Sequence, residues 1–84
     1  MRPKPTVLLV QGDPRVGALL DRALGEAGYR VDSVGDDILA LAHLDERTPD
    51  AVLLDLDCAD FDATRRLRDK TCAPIVALDR KSVV

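Results

Sequence analysis

The sequence predicts an α/β fold in which helices cover a parallel sheet. Three short apolar runs and one alternating segment have strand length, three helical stretches separate them, and two of the apolar runs end at a carboxylate. Strands that alternate with helices are joined by crossovers, and such crossovers produce parallel strands. The predicted element order is therefore β-α-β-α-β-α-β.

The first strand and helix have clear boundaries. Residues Thr6 to Val10, "TVLLV", form a continuous apolar run, which is typical of a strand covered on both faces. Asp13 suits the N-cap and Pro14 the first helical position, and Gly28 suits the end of a helix that runs to about Ala27. The predicted inner stripe of this helix is Val16, Leu19, Leu20, Ala23, Leu24 and Ala27.

A second strand and helix follow. Residues Tyr29 to Val34 alternate with period two, which favours a half-covered strand near a sheet edge. Asp36 or Asp37 caps the next helix, which Pro49 stops. Its predicted inner positions are Ile38, Leu41, Ala42 and either Leu44 or Asp45.

The third and fourth strands each lead to an acid. The run that begins at Ala51 ends at Asp55, and "APIVALD" ends at Asp79. Strands one, three and four are predicted to be central because they are the most apolar. The carboxyl ends of parallel strands meet at one edge, so residues 11–13, 55–57 and 79–80 are expected there. A weaker helix from Phe61 to Asp69 separates the last two strands, and its solvated basic face holds Arg65, Arg66, Arg68 and Lys70.

Composition narrows the function. The 84 residues suit one domain with a modest core, and a net charge of -3 makes the chain a poor binder of nucleic acid or anionic lipid. No stretch is apolar enough for a membrane span or a signal peptide, so we expect a cytoplasmic protein. Cys58 and Cys72 lack metal-type spacing and are expected to be free thiols.

Three segments resemble one family. "PDAVLLDLDCADFDA" (Pro49 to Ala63), "LLVQGDP" and "APIVALD" are similar to segments of the receiver domain of two-component response regulators. The likeness covers essentially everything from Thr6 onward. It implies a flavodoxin-like (CheY-like) three-layer fold, here incomplete as three and a half βα units, and it gives Asp55 the role of the phosphorylated aspartate.

The resemblance weakens at the positions that carry the family's chemistry. Two adjacent acids hold Mg²⁺ in the family, and Gln11 and Gly12 stand in their place. Asp79 replaces a Thr or Ser hydroxyl, and Ala59 replaces a proline. The family's lysine lies after a fifth strand that this sequence does not reach. Of the family's site, only Asp55 and the backbone carbonyl of Asp57, which would ligate the metal, remain.

These replacements predict a receiver that phosphorylation does not switch. Mg²⁺ prefers carboxylate and water oxygens, which Gln11 and Gly12 do not supply. Two charges about 5 Å apart at an effective dielectric near 20 repel by on the order of 3 kcal/mol, so Asp79 would disfavour a phosphoryl group on Asp55. We therefore expect no catalysis and no cofactor.

Two alternatives stay open. In one, Asp13, Asp55, Asp57 and Asp79 form a rearranged acidic site that binds Mg²⁺, and Asp55 is still phosphorylated. In the other, the chain is a small hydrolase or nucleotide-binding fragment, although "GDPRVG" has no phosphate-loop spacing and no nucleophile elbow is present. His43 lies in the second helix without an evident nucleophile, so a surface or packing role is expected.

The resemblance also implies partners. A chain without its last βα units would leave strand four at an edge and the first helix without the helix that packs beside it in the family. An exposed apolar edge favours pairing, so a homodimer is expected. A sensor kinase or another regulatory protein is a further expected partner, in transcription-linked signalling. DNA binding would belong to a C-terminal output domain outside these residues.

Overall fold

The computed structural model describes residues 4–55 and 61–78, and it confirms the predicted order of elements. These are β1 (Thr6–Val10), α1 (Pro14–Glu26), β2 (Arg30–Val34), α2 (Asp37–Glu46), β3 (Ala51–Asp55), α3 (Phe61–Lys70) and β4 (Ile75–Leu78). The strands form one parallel sheet with the order β2-β1-β3-β4. The predicted α/β fold with a parallel sheet is therefore confirmed.

The position of β4 differs from one of our expectations. Its apolar sequence predicted a central strand, but in the described sheet β1 and β3 are central and β4 is at an edge. Val76 in β4 is 51% exposed, whereas Val52 in β3 is fully buried. An apolar strand sequence indicates that a strand is buried but does not say which neighbours it has, so the prediction that β4 is central was wrong.

The main core lies on the face of the sheet that α2 and α3 cover. Ala40 and Leu44 of α2 and Ala63 and Leu67 of α3 are buried there. A salt bridge of 2.6 Å between Lys70 Nζ and Asp45 Oδ1 also links the two helices at their exposed side. The strand residues in this core are Leu8, Val10, Val52 and Leu54.

Among the helices that the structure describes, α1 alone covers the opposite face. Gly17 contacts the side chain of Gln11, and Leu24 shares a cavity with strand residues of that face. Leu19, predicted to lie on the inner stripe, is 69% exposed, and Ala23 and Ala27 are exposed as well. A single helix contacts a sheet along a narrower stripe than its apolar pattern spans, and here that stripe is Val16, Leu20 and Leu24.

The orientation of α2 also corrects the sequence analysis. Ile38 is 71% exposed and Ala42 is exposed, although both were predicted to face inward. Ala40 and Leu44, four residues apart, are the buried pair, and Leu41 is half-buried. Because the first half of this helix is apolar on every side, the sequence pattern did not determine which face would meet the sheet.

The helix ends follow the predicted capping chemistry. Asp13 Oδ1 accepts a hydrogen bond from the Arg15 amide, and Asp36 Oδ1 accepts one from the Leu39 amide. Gly28 ends α1 with a φ of 100°, a left-handed conformation that favours glycine. None of the helices in the described ranges is long and apolar enough to span a membrane.

Two glycines at the end of α1 provide an internal comparison. An added Cβ at Gly25 would meet nothing within 4 Å, and the residue is helical, so Gly25→Ala should stabilise the fold by about 1 kcal/mol. Gly28→Ala should destabilise it by about 1–2 kcal/mol because of the positive φ. Urea unfolding followed by circular dichroism measures both changes, and a loss of stability in Gly25→Ala would contradict this account of α1.

Candidate functional site

The site predicted from the sequence begins where the two central strands end. Val10 of β1 pairs in register with Leu54 of β3, so Gln11 and Asp55 follow at neighbouring positions. Val10 and Leu54 point into the core beneath α2 and α3. Because side chains alternate along a strand, Gln11 and Asp55 lie together on the face that α1 covers.

The Gln11 side chain is fixed inside the turn between β1 and α1. Its Oε1 accepts a hydrogen bond of 2.8 Å from the Asp13 amide, and its backbone amide continues the ladder by donating to the Val34 carbonyl at 3.0 Å. Only 6% of the residue is exposed. An added Cβ at Gly17 would lie 3.4 Å from Gln11 Cγ, so the glycine lets α1 approach closely. The amide thus completes the turn, with its oxygen already engaged.

The side-chain nitrogen of Gln11 differs from the oxygen in its hydrogen bonding. Gln11 Nε2 is buried and has no hydrogen-bond partner among the residues that the structure describes. This atom is a donor and cannot ligate a cation. The oxygen of the Gln11 side chain is engaged in the turn, and its remaining polar atom, Nε2, cannot bind a metal ion.

The next two residues contribute little to a metal site. Gly12 is exposed and has no side chain. Asp13 is half-buried, and its Oδ1 caps α1 at 2.9 Å from the Arg15 amide. The sequence analysis predicted this capping role, and one carboxylate oxygen of Asp13 is occupied by it.

Asp55 ends β3 as one of the most enclosed side chains described. The residue is 1% exposed and pairs in register with Leu78 at the end of β4. The structure therefore confirms that the carboxyl ends of β1, β3 and β4 lie side by side at the same end of the sheet. The other predicted residues of this edge, Asp57, Asp79 and Ala59, lie outside the described residues, and so does Cys58.

The described side chains fit Mg²⁺ poorly. Mg²⁺ in proteins takes oxygen ligands in octahedral geometry. At this edge, one carboxylate oxygen of Asp13 is engaged in the cap and the Gln11 oxygen is engaged in the turn. Within residues 4–55 and 61–78, no group of three or more His, Cys, Asp or Glu side chains could hold a metal ion.

His43 has a partner that the sequence analysis missed. Its Nε2 lies 3.1 Å from Asp32 Oδ2, and the two side chains are 18% and 24% exposed. This contact joins α2 to β2, at the opposite edge of the sheet from β4. A charged residue at position 32 of an alternating strand indicated that a polar partner could lie nearby. The sequence did not identify His43 as that partner, because the contact depends on the orientation of α2. The contact supports the packing role expected for His43.

Relatives of known sequence resemble nearly the whole chain. It is 35% identical over 82 residues to the transcriptional regulatory protein TcrA of Mycobacterium tuberculosis, covering 93% of this chain and 32% of that protein. It is 30% identical over 83 residues to the probable transcriptional regulatory protein TcrX of the same species, covering 94% and 36%. The chain thus spans about a third of the length of these relatives. No protein-family model matches it.

Solved structures share both fold and sequence with the chain. The non-phosphorylated HemR receiver domain of Leptospira biflexa is 28% identical with a TM-score of 0.82, and the match covers 96% of this chain and 68% of that one. The chain is a response-regulator receiver domain. The receiver domain of the sensor histidine kinase PA1611 of Pseudomonas aeruginosa is 29% identical with a TM-score of 0.80, covering 89% and 66%. That structure holds a magnesium ion in its active-site cleft.

The enclosed amide of this receiver domain should matter for folding. Gln11→Ala removes the acceptor of the Asp13 amide and leaves a cavity, so the free energy of unfolding should fall by about 1–3 kcal/mol. Gly12→Ala is the matched control, because this neighbouring residue is exposed and should change stability little. Chemical unfolding of both variants measures the difference, and equal stabilities would contradict a structural role for Gln11.

Proposed function

We propose that this receiver domain regulates through protein contacts and is not switched by phosphorylation of Asp55. The observation that carries the proposal is the Gln11 amide, whose oxygen is bonded to the Asp13 amide where the family has a metal-binding acid. With Gly12 beside it, the acidic pair is replaced by one occupied neutral oxygen and one residue without a side chain. The domain would then serve as a binding module in a regulator, not as an enzyme.

The electrostatics of Asp55 support this proposal. Phosphorylation would place additional negative charge on a carboxylate that is 1% exposed. Phosphoryl transfer depends on cations that neutralise the charge of the phosphoryl oxygens. In water-poor surroundings such charge is costly unless a partner compensates it. Gln11, which follows β1 at the position next to Asp55, offers a neutral amide nitrogen there and no positive charge.

The relatives suggest where such a module acts. TcrA is a transcriptional regulatory protein and TcrX a probable one. The chain matches 32% of the length of TcrA and 36% of the length of TcrX. We propose transcription-linked signalling in the cytoplasm, with a sensor kinase or another regulatory protein as partner. DNA binding would reside in an output domain, because the net charge of -3 does not favour DNA contacts by this chain.

Intact-mass spectrometry tests the independence from phosphorylation. The domain is incubated with Mg²⁺ and a small acyl phosphate, and Asp55→Asn is treated in parallel. The expected result is no added phosphate on the unaltered domain, because Gln11 and Gly12 stand where the family has the acids that hold Mg²⁺. An added phosphate that disappears in Asp55→Asn would overturn the proposal and favour the rearranged acidic site.

A gain-of-function variant makes the negative result informative. Gln11→Glu with Gly12→Asp restores two acids, and Glu can still offer an oxygen to the Asp13 amide. Among the described glycines, Gly28 is the one with a positive φ. The backbone at position 12 therefore accepts an Asp without the strain that a positive φ would cause. This double variant should bind Mg²⁺ at least tenfold more tightly by calorimetry. Equal Mg²⁺ affinities in both proteins would contradict the role given to Gln11 and Gly12.

Self-association is the second part of the proposal. On the face that α1 covers lies an apolar cavity of about 200 Å³, and Val76, which lines it, is 51% exposed. Leu19 of α1 is 69% exposed. Large exposed apolar patches mark interaction sites in soluble proteins. We expect a dimer at micromolar concentration in light scattering. A monodisperse monomer across that range would contradict this part of the proposal and leave the phosphorylation result unaffected.

A further inference from the structure

The side of α2 that faces away from the sheet is apolar at its centre. Ile38 is 71% exposed, Leu39 is 52% exposed, and Ala42 is exposed as well. Residues three and four positions apart are neighbours on a helix surface, so these three side chains form one patch, the outer α2 face. In α3, by contrast, every exposed position that the structure describes is charged: Asp62, Arg65, Arg66, Arg68, Asp69 and Lys70.

The outer α2 face lies at the β2 side of the sheet, away from β4. Helix α2 contacts β1, β2 and α3, and β2 is the edge strand opposite β4. The structure describes residues 35–55 without a gap, and it buries Ala40 and Leu44 beneath the helix. A surface helix usually turns polar residues to water, and a helix that is apolar all round is usually covered on every side. The composition of α2 therefore indicates a second covering partner.

Acidic residues flank the outer α2 face at both ends. Asp36 is exposed and Asp37 half-buried where the helix begins. Asp45 and Glu46 are exposed where it ends, and they continue the stripe of the face because they follow Ala42 at positions three and four. The segment 36–47 holds these four acids and one arginine, so the surroundings of the apolar patch are negative.

We propose that the outer α2 face binds a basic amphipathic helix of a partner protein. This inference rests on the proposed function, because it names a contact surface and a partner chemistry for a domain that regulates through protein contacts. The apolar side of the partner helix covers Ile38, Leu39 and Ala42, and its lysines or arginines meet the acids at the two ends. An apolar centre with a charged rim is the usual arrangement of a protein–protein interface.

The charge of the face disfavours a second copy of itself as the occupant. A two-fold axis would bring two outer α2 faces together, with the same residues on both sides. Because the face is acidic at both ends, acids would approach acids in either orientation of the helices. Like charges that meet at an interface suppress binding, whereas opposite charges favour it and speed the encounter. A basic partner is therefore the better complement.

Peptide binding tests the chemistry of the partner. The probe is a fluorescein-labelled helical peptide of leucine and lysine, with the leucines along one side, and its counterpart has glutamate in place of lysine. The domain should bind the lysine peptide about tenfold more tightly than the glutamate peptide in fluorescence anisotropy at low salt, because the rim of the face is acidic. Equal affinities for the two peptides would contradict a basic partner.

Matched variants locate the binding surface. Ile38→Gln with Leu39→Gln removes the apolar centre and should weaken binding of the lysine peptide by about tenfold. Leu19→Gln is the control: this α1 residue is 69% exposed, similar to Ile38, and the affinity should not change. Glutamine is a good helix former, so the variants should stay folded, which circular dichroism checks. If the double variant loses helix content, Ile38→Gln alone decides the case.

The outcomes separate this surface from the other proposals. Peptide binding that survives Ile38→Gln with Leu39→Gln, or that Leu19→Gln weakens equally, would overturn the outer α2 face. Self-association that this double variant abolishes in light scattering would assign the face to a second copy and overturn the partner helix. A phosphate on Asp55, with peptide binding intact at the outer α2 face, would refute the independence from phosphorylation and leave this surface in place.

Discussion

The parallel pairing of β1 with β3 is the constraint on which the rest of the structure depends. Leu8, Leu9, Val52 and Leu54 are fully buried where these strands lie side by side. This pairing orders the helices on the two faces, because residues alternate between α2 with α3 on one side and α1 on the other. It also brings the strand ends into line, so residues 11 and 55 lie at neighbouring positions.

At the carboxyl ends of the strands, the side chain of Gln11 stabilises the turn between β1 and α1. The Gln11 amide bonds to the Asp13 amide, Asp13 caps α1, and Gly17 gives α1 room to pack against Gln11. These contacts form one connected unit between β1 and the first turn of α1. A carboxylate at position 11 could keep this hydrogen bond with one oxygen and offer the other to a metal ion, whereas the second polar atom of the Gln11 amide is a nitrogen donor.

Much of this could be predicted from local sequence. The element order, the Asp13 and Asp36 caps and the Gly28 terminus follow from short-range chemistry, and the structure confirms them. The face of α2 could not be predicted, because Ile38 and Leu39 are as apolar as the residues that are buried. Tertiary packing also determines the contact between His43 and Asp32 and the burial of the Gln11 side chain. No local pattern encodes them.

On the face of the sheet that α1 covers, the exposure of apolar side chains has a thermodynamic consequence. Leu19, 69% exposed, and Val76, 51% exposed, already contact water in the folded monomer, so unfolding adds little new apolar hydration at these positions. The heat capacity of unfolding grows with newly exposed apolar surface, typically by about 12–15 cal/mol/K per residue. Leu19 and Val76 therefore contribute little to the heat capacity of unfolding of the monomer, whereas the buried leucines and valines of β1 and β3 contribute most of their apolar surface.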